Sequence, residues 1–331
     1  MIKNFLKSHS IHKKIVPFLD IFILLRPTLF FSVWVMTCIG MYIASILNSN
    51  TQMNIIDYNI HTLALFIGIS LVCGSTFILN QISDIKSDKI NNKIFLLNGI
   101  IRPDKALAIS KIVNILGFFI VLFIDWLVVF PLLFIFIIWG IMYNNENSNW
   151  KGNPWLGFFS NLGCGYLLIL CGMIYNRSNI EFHILLINSI KYILPFILAY
   201  ASIVLLANIP DKDGDKAIDK NTLTVIFGEK NTILFSTFLC ILSFLVGIYI
   251  NEPLSSTASL TSIPFFLFAV FRGEEKDIIR AIRYPIFLLN FYVLTIYPLL
   301  LFPILLFYYL SKYYYWHRLA IHYPTLLVDN D

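Results

Sequence analysis

The chain has 331 residues, of which 58% are hydrophobic and only 13% are charged. A soluble domain carries about 25% charged residues, so this composition excludes an ordinary soluble protein and is typical of a polytopic membrane protein. The formal net charge of +5 is small for this length, so the positions of the charges carry more information than their sum.

Nine apolar segments are predicted to span the membrane, since a spanning helix needs about 20 mainly apolar residues. They cover residues 21–47, 61–83, 106–124, 127–143, 154–174, 188–207, 232–250, 254–271 and 285–311. The basic and polar residues 1–18 show no signal-peptide cleavage pattern, so we expect them to form a cytoplasmic tail. No long polar domain interrupts the series. We therefore predict one all-α domain over 19–311, with the helices around a central cavity, and a C-terminal tail over 312–331.

Cysteine and histidine show no metal-binding pattern. The five cysteines lie inside apolar runs without a Cys-x-x-Cys pair, and the six histidines have no metal-ligand spacing. Neither a zinc site nor a disulfide framework is therefore supported.

The second predicted span ends in an unusual polar stretch, NQISDIKSDKINNK over 80–93. Asn80, Asp84 and Asp88 recur at a spacing of four, which places them along one face of a helix. Taken alone, such a segment is best interpreted as a solvated helix end with capping residues.

The sixth predicted span is followed by a similar stretch, NIPDKDGDKAIDKNT over 208–222. Asp211, Asp215 and Asp219 repeat the spacing of four. Because both stretches follow even-numbered spans, they are expected on the same side of the membrane and can face one another across a cavity.

The distribution of Lys and Arg assigns that side. With a cytoplasmic N-terminus, the predicted inside segments hold 18 Lys and Arg residues and the outside segments, including the C-terminal tail, hold 4. Cytoplasmic loops carry an excess of these residues, so both acidic stretches are predicted to be cytoplasmic.

Paired acidic stripes at one cavity favour a divalent cation. Carboxylates held close together resist joint ionisation unless cations lie between them. Clustered carboxylates open to water suit Mg²⁺, which is usually completed by waters and substrate phosphates. The pattern therefore indicates a metal-held diphosphate that acts as a leaving group.

These motifs resemble the UbiA superfamily of intramembrane prenyltransferases over roughly residues 20–300. The family's Asn-x-x-x-Asp-x-x-x-Asp and Asp-x-x-x-Asp signatures correspond to the two stretches, including the NKI at 92–94. KNTLTVIFG at 220–228 resembles a Lys-x-Thr-Leu motif, and MYNNENSNWKGNPWLG at 142–157 resembles the family's Tyr-then-Lys cytoplasmic loop.

The resemblance implies a Mg²⁺-dependent transfer of a prenyl group from a prenyl diphosphate. Asp84 and Asp88 would then bind one Mg²⁺, and Asp211 and Asp215 the other. Asn80 would hydrogen-bond the first metal site or the diphosphate.

Further residues are expected to bind the substrate. The resemblance implies that Lys151 and Tyr143 hold the diphosphate, with Arg26, Lys220 and Asp219 as further candidates. The simpler interpretations are that Lys151 marks the cytoplasmic face, that Tyr143 is an interfacial aromatic, and that Arg26 snorkels to the surface.

The chain departs from the family pattern in two places. Arg102 and Pro103 arrive late after the first motif, which puts an arginine contact to the diphosphate there in doubt. Asn208 stands where many members have Asp, although the pair Asp211 and Asp215 is intact.

The acceptor stays open at this point. The resemblance allows an aromatic acid or quinone precursor, a porphyrin, a chlorophyll-type alcohol, or a glycerol- or sugar-phosphate, and we favour an aromatic acceptor in the synthesis of quinone-type lipids. The leading alternative to an enzyme is a membrane transporter, but a coupled transporter would more often place polar groups near the membrane midplane. A third possibility is a non-catalytic membrane scaffold, which need not keep both acidic pairs. We expect an integral protein of a bacterial inner membrane with its site facing the cytoplasm, and no nucleic-acid partner.

Overall fold

A computed structural model describes residues 10–48, 60–91, 97, 99–177 and 182–325. All regular elements in these ranges are helical. The α-helices are α1 Ser10–Leu24, α2 Phe30–Leu47, α3 Ile60–Ser83, α4 Ile85–Ile90, α5 Pro103–Ile124, α6 Val129–Ile135, α7 Pro154–Tyr175, α8 Phe182–Ala207, α9 Lys212–Ala217, α10 Leu223–Phe227, α11 Glu229–Tyr249, α12 Pro253–Arg272, α13 Glu275–Ile296 and α14 Leu301–Tyr314. Helix α6 continues as a π-helical segment, Phe136–Met142.

Eight helical segments within the described ranges are long and apolar enough to cross a membrane. The helix Val129–Met142 is apolar but shorter. The predicted all-α, multi-pass membrane fold is confirmed, and the exact number of nine spans stays a prediction.

Close backbone contacts hold α2, which lines the site described below, against α7. A Cβ atom on Gly40 would lie 1.9 Å from the carbonyl oxygen of Ile169, and one on Gly172 would lie 1.9 Å from that of Thr37. Small residues at such crossings let membrane helices approach closely, and the packing between them replaces the hydrophobic effect as the stabilising force.

The first predicted span is interrupted near its start. Helix α1 ends at Leu24, Arg26 adopts a left-handed backbone with φ 55°, and a 3₁₀ turn begins at Pro27. Proline at the first position of a turn is favourable because its missing N–H needs no partner there. The break therefore places Arg26 at the mouth of the helix bundle.

The last predicted span, 285–311, is wrong at both ends. Helix α13 begins ten residues earlier, at Glu275, and ends at Ile296. Its charged first turns are stable because Arg280 and Arg272 pair with the buried carboxylate of Asp277. Pro298 then starts a separate turn that leads into α14.

The C-terminal tail does not lie at the end of the bundle that we expected. Helix α14 returns along α2, where Phe307 contacts the rings of Phe30 and Trp34. Arg318 pairs with Asp20, and the Tyr323 hydroxyl lies 3.4 Å from that of Thr28. The tail therefore lies at the same end as the start of α2, because the break after α13 lets the chain reverse.

Some predictions fall outside the described residues. The structure describes the basic tail over 1–18 only from Ser10 and the C-terminal tail over 312–331 only as far as Thr325, and the NKI at 92–94 lies wholly outside the described residues.

Candidate functional site

The first acidic motif keeps helical register although the helix is interrupted. Helix α3 ends at Ser83 and α4 begins at Ile85. The backbone N–H of Asp84 donates to the Asn80 carbonyl, and that of Asp88 donates to the Asp84 carbonyl, both at 2.9 Å. The three side chains therefore lie along one stripe, as the spacing predicted.

The second motif keeps this register for only two of its three aspartates. The backbone N–H of Asp215 donates to the Asp211 carbonyl at 2.9 Å. Helix α9 ends at Ala217, and Asp219 adopts a left-handed backbone with φ 55° and is exposed. The spacing of four therefore no longer aligns Asp219 with the pair, and it is not among the residues that line the cavity.

Both motifs line one cavity of about 350 Å³. Eight of the predicted site residues are in its wall, namely Arg26, Asn80, Asp84, Asp88, Tyr143, Asp211, Asp215 and Lys220. The two polar loops that follow α3 and α8 therefore meet at one mouth of the helix bundle.

Two lysines pair with the carboxylates of the motifs. The ammonium group of Lys220 is 2.9 Å from Asp215 Oδ1 and 3.9 Å from Asp84 Oδ1, so a single cation reaches both motifs. Lys151 is not among the residues that line the cavity, and it donates to Asp84 Oδ1 at 2.7 Å and to Ser83 Oγ at 2.5 Å. The site thus places positive charge where two acidic stripes approach.

Burial shifts the protonation equilibria of this cluster. Burial raises the pKa of Asp215, against the opposing effect of Lys220. Burial would lower the pKa of Lys220, but Asp84 and Asp215 outweigh it and the pKa is raised. Burial lowers the pKa of Lys151 more than Asp84 raises it. Each group is thus sensitive to the charge of its neighbours.

A π-helical turn brings Asn144, which the sequence did not indicate, into the site. The backbone N–H of Tyr143 donates to the Ile138 carbonyl, five residues earlier. The widened turn leaves the Trp139 carbonyl to accept from Asn144 Nδ2 at 2.6 Å. Such turns occur frequently at functional sites, but neither composition nor spacing marks them in a single sequence.

Asn144 in turn orients the first motif. Its Oδ1 accepts from Asn80 Nδ2 at 3.2 Å and from Ser83 Oγ at 3.1 Å. Asn80 Nδ2 also donates to Asp84 Oδ2 at 2.8 Å. Because both contacts use the amide nitrogen of Asn80, its amide oxygen is left for other partners.

An apolar cavity of about 70 Å³ adjoins the polar one. It lies between α2, α8, α12 and α13, and shares Ser32, Met36 and Tyr200 with the larger cavity. A polar head site therefore borders an apolar space inside the bundle.

The donor set fits magnesium. Carboxylate and amide oxygens are the ligands that hard divalent cations take. Among the described residues, no three His, Cys, Asp or Glu side chains are arranged to hold a metal by themselves. Mg²⁺ is usually held by one or two protein carboxylates and completed by waters and substrate phosphates, and the carboxylates of the two motifs are the residues that could hold it here.

Comparison with known proteins identifies the family. A sequence model described as the UbiA prenyltransferase family matches residues 33–290. The chain belongs to the UbiA prenyltransferase family. The predicted resemblance is thereby confirmed, and the protein is a multi-pass member of a family of membrane enzymes.

Two plant transferases show sequence similarity to the chain. Coumarin 8-geranyltransferase 1 of Citrus limon is 26% identical over 198 residues, which cover 54% of this chain and 45% of that protein. 2-Acyl-4-prenylphloroglucinol 6-prenyltransferase of Humulus lupulus is 26% identical over 193 residues, covering 53% and 44%. The chain thus matches less than half the length of these curated relatives.

Solved structures of UbiA-type proteins share the fold. A UbiA homologue from Archaeoglobus fulgidus, bound to GPP and Mg²⁺, has a TM-score of 0.61 at 15% identity and covers 84% of this chain and 99% of that one. A digeranylgeranylglyceryl phosphate synthase structure has a TM-score of 0.58 at 19% identity, covering 84% and 96%.

Proposed function

We propose that the protein transfers a prenyl group from an allylic prenyl diphosphate to an acceptor, with Mg²⁺ as cofactor. The observation that carries this proposal is the meeting of two acidic motifs, from separate loops, in the wall of one cavity. Membership in the UbiA family supports the reaction class.

The acidic side chains are proposed to hold the cofactor. Asp84 and Asp88 would hold one Mg²⁺ and Asp211 and Asp215 another, with Asn80 beside the first site. When bound, Mg²⁺ neutralises the negative charge that grows on the departing diphosphate.

The lysines are proposed to hold the diphosphate itself. Lys220 already lies between the two motifs, and Lys151 contacts Asp84 from the outer side. Ammonium hydrogens donated to diphosphate oxygens form charge-assisted bonds, which strengthen as the C–O bond breaks. Arg26 and Tyr143, in the same wall, are further donors.

The aromatic wall is suited to the electron-poor carbon. Phe77, Trp139 and Tyr200 line the cavity together with the acids. Aromatic faces attract cations, so these rings can stabilise positive charge on the allylic carbon, and they exclude water that would otherwise capture it. The acceptor then attacks this carbon and loses a proton.

An aromatic acceptor is the narrower proposal. It is supported by the two plant relatives, whose names specify a coumarin and an acylphloroglucinol, both aromatic. We propose an aromatic precursor of a quinone-type lipid, with the site open to the cytoplasm because the Lys- and Arg-rich loops surround it.

The activity is tested with purified protein in detergent, a prenyl diphosphate, Mg²⁺ and a panel of acceptors. We expect release of diphosphate and formation of a prenylated product. EDTA, Asp84→Ala and Asp215→Ala should each reduce turnover by at least about a thousandfold. Without Mg²⁺ the negative charge on the departing diphosphate is not neutralised, and the transition state loses several kcal/mol of stabilisation.

The matched control is Asp219→Ala, which removes a carboxylate outside the cavity and should retain turnover. Folded Asp84→Ala and Asp215→Ala variants with normal turnover would contradict the proposed site. If product forms only with a phosphorylated acceptor, the proposal of an aromatic acceptor is wrong.

A further inference from the structure

We infer that Asn91 is a positioning residue that holds the two acidic motifs at the separation needed to grip one diphosphate. This inference rests on the proposed function, since it assigns a role within the same site. Asn91 does not itself line the cavity, and its hydrogen bonds to the second motif are with backbone atoms of Asp211 and Gly214, so it would act through the elements that carry the carboxylates.

Asn91 ends the first motif and reaches across to the second. Its backbone N–H donates to the Ser87 carbonyl at 3.0 Å, which continues the helical turn of α4. Its side-chain Oδ1 accepts from the backbone N–H of Gly214 at 2.8 Å, and its Nδ2 donates to the Asp211 carbonyl at 3.4 Å. One amide thus binds both a donor and an acceptor within the Asp211–Asp215 turn.

The missing side chain of Gly214 leaves room for this amide. A Cβ atom at position 214 would lie 2.4 Å from Asn91 Nδ2 and 2.6 Å from its Oδ1. Gly214 is buried and carries no positive φ, so the close approach of the amide, rather than backbone conformation, excludes a side chain there. The contact therefore depends both on the amide at position 91 and on the absence of a side chain at position 214.

The electrostatics of the site favour an uncharged contact between the two motifs. The motifs sit on separate loops, and their carboxylates repel one another when no cation is bound. Lys220 also bridges them, but it does so through Asp215 Oδ1, an oxygen that a metal would use. Asn91 uses only backbone atoms of the second motif and adds no charge, so its bridge can persist while every carboxylate binds metal.

A fixed separation between the two motifs lowers the free-energy cost of binding the diphosphate and its metal ions. If the two loops were free to move apart, the diphosphate and its metal ions would have to order them on binding. Losing the bridge should therefore weaken binding of Mg²⁺ and of prenyl diphosphate more than it slows the chemical step.

The test compares Asn91→Ala, Gly214→Ala and the double variant. We expect each single variant to raise the Mg²⁺ concentration for half-maximal activity and the KM for the prenyl diphosphate by about tenfold, which corresponds to one or two hydrogen bonds, with kcat changed by less than about threefold. The double variant should be no worse than Asn91→Ala, because the alanine at 91 removes the group that the new Cβ would meet.

The matched controls are Lys86→Ala and Lys216→Ala, which alter exposed side chains on α4 and α9. They should leave both constants unchanged. Additive effects of Asn91→Ala and Gly214→Ala, or unchanged constants in both, would overturn the inference.

A second readout does not depend on turnover. Spin labels on Lys86→Cys and Lys216→Cys report the separation of α4 and α9 by pulsed electron resonance, since the five native cysteines are buried. Without Mg²⁺ or prenyl diphosphate, Asn91→Ala should broaden the distance distribution, and an unchanged distribution would refute the bridge. Should wild-type protein lack activity altogether, the proposed function fails while this measurement still decides whether Asn91 holds the motifs together.

Discussion

At the scale of single residues, the site is an arrangement of charges that needs cations. Lys220 lies within ion-pair distance of both motifs, and Lys151 supports Asp84 from the other side. Buried carboxylates are stable only when paired or coordinated, so these lysines stabilise the acidic site, and they are the residues that we propose to contact the diphosphate.

Replacing Lys220 tests whether its positive charge contributes to binding of the prenyl diphosphate. Lys220→Met keeps the apolar stem but removes the charge, and we expect the KM for the prenyl diphosphate to rise between about ten- and a hundredfold, the range for losing a charged hydrogen bond. Lys220→Arg should restore part of this affinity. Steady-state kinetics at saturating Mg²⁺ provide the measurement, and an unchanged KM in Lys220→Met would remove this residue from the diphosphate site.

At the scale of helices, close backbone packing positions the site. Helix α7 begins just after the loop that bears Lys151, and it crosses α2 at Gly40 and Gly172. Any side chain at this crossing would push the two helices apart and move the cavity wall with them.

A pair of alanine substitutions on α7 tests this packing. Gly172→Ala would place Cβ 1.9 Å from the Thr37 carbonyl, whereas a Cβ on Gly163 meets nothing within 4 Å. We expect Gly172→Ala to lose about 1–3 kcal/mol of stability from overpacking and Gly163→Ala to be close to neutral. Thermal unfolding in detergent, followed by tryptophan fluorescence, compares the two, and equal unfolding temperatures would show that the crossing is not tightly packed.

At the scale of the whole molecule, the first and the last segments that the structure describes lie around the same mouth of the bundle. The C-terminal residues Arg318 and Tyr323 contact Asp20 and Thr28, and Arg26 beside them lines the cavity. Placing the C-terminal tail on this side also moves Lys312 and Arg318 to the Lys- and Arg-rich face, which agrees with the positive-inside rule better than the expected outside position.

Labelling of introduced cysteines from one side of the membrane tests this topology. In intact cells of an expression host, a membrane-impermeant maleimide should label Asn251→Cys, in the loop between α11 and α12. It should label His322→Cys and Lys230→Cys only after permeabilisation. Labelling of His322→Cys together with Asn251→Cys in intact cells would place the C-terminal tail on the outer side.

Much of this protein follows from local sequence. Hydrophobic length alone determines that the chain crosses a membrane repeatedly, because the bilayer requires long apolar helices. A spacing of four determines that Asn80, Asp84 and Asp88 share a face, since hydrogen bonds between neighbouring turns depend only on nearby residues.

Only the tertiary structure decided which polar groups meet. Asp219 fits the spacing but leaves the stripe when α9 ends, and Asn144 and Asn91 join the site although no local pattern marks them. The reversal after α13 likewise depends on contacts of α14 with α1 and α2. These features are set by packing between segments far apart in the chain, whose partners a single sequence does not specify.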